Sequence, residues 1–459
     1  MNLPIKIAEK VRDKGGRAFL VGGAVRDGLL GLDPTDLDFE IFGLEESSLA
    51  EILRDFGSVN LIGRHFAVFH VATAEQEIQV SLPRREVKTG PGHKGFSITA
   101  DPGMDPSKAS ARRDFTVNAL MEDPLSGEIL DFWEGRKDLK AGLLRHVSPA
   151  FAEDPLRVLR VSRFVSRFDW AVHPETAAFC RELDLSEIPR ERIEEEWKKI
   201  LVTGNYPGSG VRVMEETGAL EAFPEIDALR GVPQDPEWHP EGDVFIHTCL
   251  ALDAATKVRT GVAEQDWIES LGVLCHDFGK PAFTVEKDGR WRSPGHDVGG
   301  VEVTRDFLAR VTAQSSIVDS VVALVREHLR PTQLWQARAE VSDAAIRRLA
   351  LRLDQTSSVD IPSLLRVAWS DAAGRGEPMP EFEQWDPAQW LLERAGSLGV
   401  REESIRNFLQ GKDLLELGIT PGPKVGEILD EILELQIEGT IADRESAIAW
   451  AKERLGQER

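Results

Sequence analysis

The chain has little cysteine, no membrane-length apolar run and a shortage of positive charge. Its three cysteines, Cys180, Cys249 and Cys275, sit in apolar helical contexts without metal-ligand spacing. That excludes a disulfide framework and points to a reduced, cytoplasmic compartment. No stretch approaches the about 18 consecutive apolar residues of a membrane-spanning helix, and Met1 to Lys10 carries no signal-peptide core, so no membrane partner is expected. The formal charge of −23 argues against a protein wrapped in RNA, because phosphate contacts need a basic surface. Of the spans 1–83, 84–170 and 171–459, only the middle one holds an excess of Lys and Arg. An RNA contact, if present, should be local and salt-sensitive.

What is present is concentrated near the start. Ala18 to Val21 reads as a strand, Gly22 and Gly23 interrupt it, and Ala24 to Leu30 resumes with helical periodicity. Glycines at a helix start let backbone N–H groups approach an anion closely, and Arg26 stands one turn on. After the turn at Asp33-Pro34, the run Asp36 to Phe42 reads as the second strand of a βαβ stretch, with Asp36 and Asp38 on one face. Two adjacent carboxylates repel unless a divalent cation lies between them, and oxygen ligands suit Mg²⁺ shared with a substrate phosphate. Each half alone also fits an ordinary turn or a solvated strand end. In this order they read as a triphosphate-and-metal site.

A second motif runs from Arg145 to Phe164. From Glu153 the period is helical, with Leu156, Leu159, Phe164 and Val165 set against Arg157, Arg160, Arg163 and Arg167. Such a stripe also fits a solvated face. Glu153 and Asp154 at its start supply an acceptor one turn before Arg157. An acceptor beside a forked donor matches the pairing edge of cytosine or adenine: Asp154 takes the amino group, and Arg157 donates to N3 of cytosine or N1 of adenine. Uracil and guanine present a carbonyl to Asp154 and should be refused.

The stretch Leu20 to Glu40 resembles the head of the DNA polymerase beta superfamily. Arg112-Arg113-Asp114-Phe115-Thr116-Val117-Asn118-Ala119-Leu120 and the Arg145 to Phe164 motif are similar to those of class II tRNA nucleotidyltransferases, the CCA-adding enzymes. The resemblance implies Asp36 and Asp38 as catalytic Mg²⁺ ligands. It implies a nucleotide-selecting role for Glu153, Asp154 and Arg157, and nucleotide contacts from Gly23, Arg26, Arg113, Arg160 and Arg163. A position that is often acidic in related enzymes is Gln79 here, so the metal alone, or Glu77 on the same strand face, would have to serve as the base. Residues 83–111, with Gly90-Pro91-Gly92 and Asp101-Pro102-Gly103, read as a loop. Its basic residues Arg84, Arg85, Lys88, Lys94 and Lys108 suit phosphates, and in the family a mobile segment here takes part in the switch from CTP to ATP.

Further on, His247, the run Leu274-Cys275-His276-Asp277-Phe278-Gly279-Lys280, His296, His328 and Asp371 resemble the ligand set of the HD phosphohydrolases. Imidazole and carboxylate together suit a divalent transition metal held by His247, His276, Asp277 and Asp371. Trp238-His239-Pro240-Glu241 strengthens the likeness to the HD-bearing subgroup of bacterial CCA-adding enzymes. Members of that subgroup show phosphatase and 2′,3′-cyclic phosphodiesterase activity.

The expected architecture is an α/β nucleotidyltransferase head with a mixed sheet at 1–135, a helical neck at 136–230 that begins with a connector at Gly135 to Gly142, an HD domain at 244–375 and a helical tail at 386–459. The expected activity is addition of C, C and A to the tRNA 3′ acceptor end from CTP and ATP, by a monomer. CC-only addition, A-only addition and poly(A) synthesis stay open. So does an HD phosphohydrolase whose head is a non-catalytic RNA clamp.

Overall fold

A computed structural model describes residues 3–34, 36–62, 68–73, 76–88, 96–354, 359–376 and 378–456. The chain forms two compact units, residues 1–189 with 213–222 and residues 190–212 with 223–459.

The first unit is built on a seven-stranded mixed sheet in the order β3-β4-β5-β2-β1-β8-β9. Its strands are β1 (Arg17–Val21), β2 (Leu37–Phe42), β3 (Gly57–Ile62), β4 (Val68–Thr73), β5 (Glu77–Ser81), β8 (Met121–Glu122) and β9 (Ile129–Leu130). β6 (Arg84–Lys88) and β7 (Phe96–Ala100) pair only with each other. Strand alternation puts Leu37, Phe39, Ile41, Ile78, Val80, Phe69 and Val71 into one core with helices α1 (Leu3–Asp13) and α3 (Glu46–Leu53). Asp38 and Gln79 are paired in register on the opposite face, and His70 pairs with Gln79 from the other side.

Four local expectations change. The strands flanking helix α2 (Gly23–Leu29) are antiparallel, with Val21 opposite Asp38, and the parallel neighbour of β2 is β5. Alternation reads the same for either direction, so the βαβ order did not carry the pairing sense. Residues 83–111 are not a loop but the β6–β7 hairpin followed by helix α4 (Pro106–Ser110), capped by Asp105. This hairpin lies outside the main sheet, and the short alternation of Phe96, Ile98 and Ala100 with polar residues was outweighed by the Gly, Pro and Lys around it. Residues 89–95, among them Gly90-Pro91-Gly92 and Lys94, lie outside the described residues. Gly135 to Gly142 is a helix, α5 (Gly135–Ala141), closed by Gly142 at φ +62°. The helix expected from Glu153 starts later: a 3₁₀ turn, Pro149–Glu153, leads to extended Asp154 (φ −132°, ψ 98°), and α6 spans Arg157–Phe168. Pro155 disfavours helical geometry in the residue before it, which accounts for the later start.

The second unit is helical apart from the short hairpin Val285–Lys287/Arg290–Arg292. Helices Val244–Ala255, Ala263–Cys275, Ser315–Glu327 and Ile361–Ala373 pack together. Gly231 to Asp243 enters the first of them as irregular chain, with Asp243 capping it through the Ile246 N–H. Leu409, Leu414, Ile419, Ile428, Ile432, Ile441, Ala447 and Ala451 form a separate core near the C-terminal end. No helix among the described residues is long and apolar enough to cross a membrane.

Candidate functional site

In the first unit a cavity of about 280 Å³ is lined by Gly22, Gly23, Arg26, Asp27, Asp36, Asp38, Arg113, Asp114, Asn118, Arg160, Arg163, Phe164 and Arg167. Gly22 turns the chain at φ +69°, and a Cβ there would lie 3.1 Å from the Arg113 guanidinium and 3.7 Å from Asp38 Oδ2. A bare backbone is therefore what lets these two side chains close over the turn. Asp36 is exposed just before β2, and Asp38 is half-buried on it. Burial pushes the Asp38 carboxyl above its usual range, Arg113 opposes the shift, and Asp36 adds to it. A cation between the two would relieve both causes, and hard oxygen donors are the set Mg²⁺ takes.

The arginines are held by acids. Arg26 is buried, donates to Asp27 at 2.8 Å and to Asn118 at 2.7 Å, and its guanidinium lies 5.0 Å from the Phe164 ring and 5.1 Å from that of Phe168. Asn118 donates to Asp114, which receives Arg160, while Arg167 donates to the second oxygen of Asp27. This alternating chain joins α2, the Thr116–Asn118 turn and α6. Buried Glu40, two residues beyond Asp38, lies 3.5 Å from the Arg113 guanidinium and 3.7 Å from that of Arg112.

Gly23, Arg26, Asp36, Asp38, Arg113, Arg160 and Arg163 thus share one cavity. Glu153, Asp154 and Arg157 are not among its lining residues. The Asp154 carboxylate accepts the Leu156 N–H at 3.2 Å, and Arg157 donates to the carbonyls of Ala150 and Arg112, each at 2.6 Å. Sequence reasoning missed Asp27, Glu40, Asp114 and Asn118. All four lie inside quoted motifs, but attention to phosphate-binding arginines passed over the polar groups that hold them.

In the second unit, His247, His276 and Asp371 offer ligand atoms within 4.8 Å of one another, as do Asp277, His296 and His328. His247 Nε2 is 3.1 Å from Asp371 Oδ1 and 3.3 Å from His276 Nε2. Asp277 joins the two groups, with Oδ2 3.1 Å from His276 Nε2 and Oδ1 3.2 Å from His296 Nε2, and it also meets Lys280 Nζ at 2.7 Å. His328 Nε2 is buried and finds no hydrogen-bond partner among the described residues. Burial, with His276 and His296 nearby, pulls His328 down to about 4, so it presents a neutral ring. Burial opposes the charge on Asp277, but His276 and Lys280 outweigh it and hold the carboxyl well below its ordinary range. The neutral His328 ring and the ionised Asp277 are the forms in which a divalent metal takes an imidazole and a carboxylate. The four expected ligands come together here, joined by His296 and His328.

The chain resembles known proteins along most of its length. Residues 18–145 match the family described as "Poly A polymerase head domain", and residues 170–229 match "Probable RNA and SrmB- binding site of polymerase A". The chain is 34% identical over 425 residues to the Multifunctional CCA protein of Xanthomonas campestris, covering 90% of this chain and 96% of that one. It is 35% identical over 394 residues to the Multifunctional CCA protein of Actinobacillus pleuropneumoniae, covering 83% and 92%. Among solved structures, a Bacillus stearothermophilus CCA-adding enzyme in complex with CTP aligns over 100% of this chain and 99% of its own, with a TM-score of 0.59 at 23% identity. A Thermotoga maritima CCA-adding enzyme complexed with tRNA aligns over 99% and 95%, with a TM-score of 0.55 at 18% identity. At such identities these two likenesses establish the fold.

Proposed function

The chain belongs to the bacterial-type CCA-adding tRNA nucleotidyltransferases, and on that premise we propose that Asp36 and Asp38 are the carboxylates at which it joins C, C and A, drawn from CTP and ATP, to tRNA 3′ ends without a nucleic-acid template. The observation that carries the assignment is the shared cavity, in which both carboxylates stand beside the Gly22-Gly23 turn and Arg113. Asp36 and Asp38 would hold Mg²⁺, which when bound activates the attacking hydroxyl and neutralises phosphate charge. The Gly22-Gly23 backbone and Arg113, Arg160 and Arg163 receive the triphosphate, and Arg26 braces the wall behind them. Glu153, Asp154 and Arg157 select the base. The remaining work is alignment of a 3′ hydroxyl with the α-phosphate.

Extension of three tRNA transcripts, ending before CC, after C and after CC, with labelled CTP or ATP in Mg²⁺ buffer tests this. All three should be extended, each with its own nucleotide. Extension of only the first two identifies a CC-adding enzyme, of only the third an A-adding one, and long A tracts a poly(A) polymerase. Failure of all three overturns the reading.

We divide the chain into a head at 1–135, a neck at 136–230, an HD domain at 244–375 and a tail at 386–459, the last supported by its own core. The orphaned His328 Nε2 and the convergent His247, His276, Asp277 and Asp371 support a divalent transition-metal site that hydrolyses phosphate esters at RNA ends. Cleavage of a 2′,3′-cyclic nucleotide in Co²⁺ or Ni²⁺ buffer, lost on adding a chelator, is the expected result; no cleavage with either metal removes the second activity.

A further inference from the structure

Four histidines stand in the ligand cluster of the second unit, and all are fixed through Nδ1. Three use the carbonyl three residues back in their own chain: His276 to Val273 at 2.7 Å, His296 to Ser293 at 2.7 Å and His328 to Val325 at 2.6 Å. These are backbone acceptors, so Nδ1 carries the proton and Nε2 keeps its lone pair for a metal. His247 departs from the pattern. It sits in the first turn of Val244–Ala255, and its Nδ1 lies 2.7 Å from Glu241 Oε1.

We propose that Glu241 is a positioning residue for the metal site, a buried carboxylate that fixes the tautomer and basicity of His247, and that it determines how tightly the centre binds its metal. The inference rests on the metal-site reading given above. The same oxygen meets His239 Nδ1 at 2.9 Å, and both contacts have hydrogen-bond rather than metal-ligand length. The Glu241 side chain is nearly inaccessible, and its Oε2 has no hydrogen-bond partner among the described residues. A carboxylate placed so is costly unless the two histidines repay its burial. The irregular segment that carries it is tied down at three residues before Glu241: Gln234 accepts from Lys280, itself bound to Asp277, while Arg290 donates to Asp235 and Glu237, each at 2.6 Å. Glu241 thus reaches His247 from a segment braced against Lys280, the neighbour of Asp277, and against the hairpin strand of Arg290. A carboxylate partner makes its imidazole a stronger donor than a carbonyl does, and loss of such partners weakens metal sites by roughly tenfold to a hundredfold.

The test is calorimetric titration of the full chain with Co²⁺ alone, comparing the unaltered protein with E241A, E241Q and H247A, and with cobalt absorption as a second readout. H247A should abolish tight binding at this site. E241A and E241Q should weaken it by roughly tenfold to a hundredfold and change the cobalt spectrum, with metal-free E241Q melting like the unaltered chain. Equal Co²⁺ affinity in E241Q and the unaltered chain would overturn the positioning role while leaving the metal site standing. Absence of Co²⁺ binding by the unaltered chain would remove the metal site and the proposal with it.

Discussion

Asp114 holds Arg160 with one oxygen: its Oδ2 accepts from Nε at 2.8 Å and from the terminal nitrogen at 2.6 Å. Its Oδ1 accepts from Asn118 at 2.9 Å and from the Phe115 N–H at 2.8 Å, so both oxygens of the buried carboxylate are satisfied. Burial opposes ionisation, but Arg160 and these donors outweigh it and bring the carboxyl down to about 2. A carboxyl held lower in the folded chain than in the unfolded one stabilises the fold above the ordinary value near 3.8, and that contribution is lost as pH falls towards 2. The shift corresponds to roughly 2 kcal/mol. Asp114→Asn should lack this part of the acid-unfolding limb, and should cost about 3 kcal/mol at neutral pH because Arg160 loses its partner. Urea unfolding at steps from pH 7 to pH 2.5 measures both; an unchanged acid limb would show that Asp114 is not the group involved.

How legible this was depended on the range of the contact. Leu37, Phe39 and Ile41 alternate with Asp38 and Glu40, so the strand and its polar face were readable from spacing alone. The antiparallel sense of β1 and β2 was not, because alternation carries no direction. The break at Asp154 was marked by Pro155 but was overridden by the stronger helical period after it. Arg167 finds Asp27 across 140 positions, and only the fold brings them together. The metal-site histidines were visible as a spaced set. Glu241 was quoted within a motif, but its hydrogen bond to His247 needed the geometry of the linker.

Gly22 is where the backbone must stay bare. At φ +69°, alanine costs about 1–2 kcal/mol of conformational strain, and its Cβ would press on Arg113 at 3.1 Å. Gly22→Ala should lower kcat/KM for CTP and ATP on the order of tenfold, through KM more than kcat. Steady-state kinetics with a saturating tRNA primer will show it; unaltered KM values would separate the turn from the triphosphate.

Asp36→Ala and Asp38→Ala should each reduce nucleotide transfer by roughly a thousandfold or more, since either leaves one carboxylate to hold the metal. Neither lies in the second unit, so Co²⁺ binding there should persist in both. Near-normal extension of tRNA by either variant would sink the metal assignment in the head.

The reciprocal experiment uses His276→Ala combined with Asp277→Ala. Asp277 joins the two groups of ligand atoms, and its removal takes an oxygen from each. Co²⁺ binding and cyclic-nucleotide hydrolysis should fall to background while CCA addition continues. Surviving hydrolysis would place the phosphoesterase chemistry elsewhere.

Asp154→Ala addresses base selection, where the geometry is most demanding. Arg157 spends one N–H of each terminal nitrogen on the carbonyls of Ala150 and Arg112, and a guanidinium carries two on each. One per terminal nitrogen therefore remains to meet a base edge without breaking the bonds that aim it. The Asp154 carboxylate accepts the Leu156 N–H at 3.2 Å, and a carboxylate is the kind of acceptor an exocyclic amino group requires. Removing it should narrow the preference for CTP and ATP over UTP and GTP by roughly 1–3 kcal/mol, about tenfold to a hundredfold, with a smaller change in the rate of the preferred nucleotide. Competition among the four triphosphates on the three tRNA transcripts measures the ratio. If discrimination is untouched while the rate falls, Asp154 serves the break at Pro155 and not the choice of base.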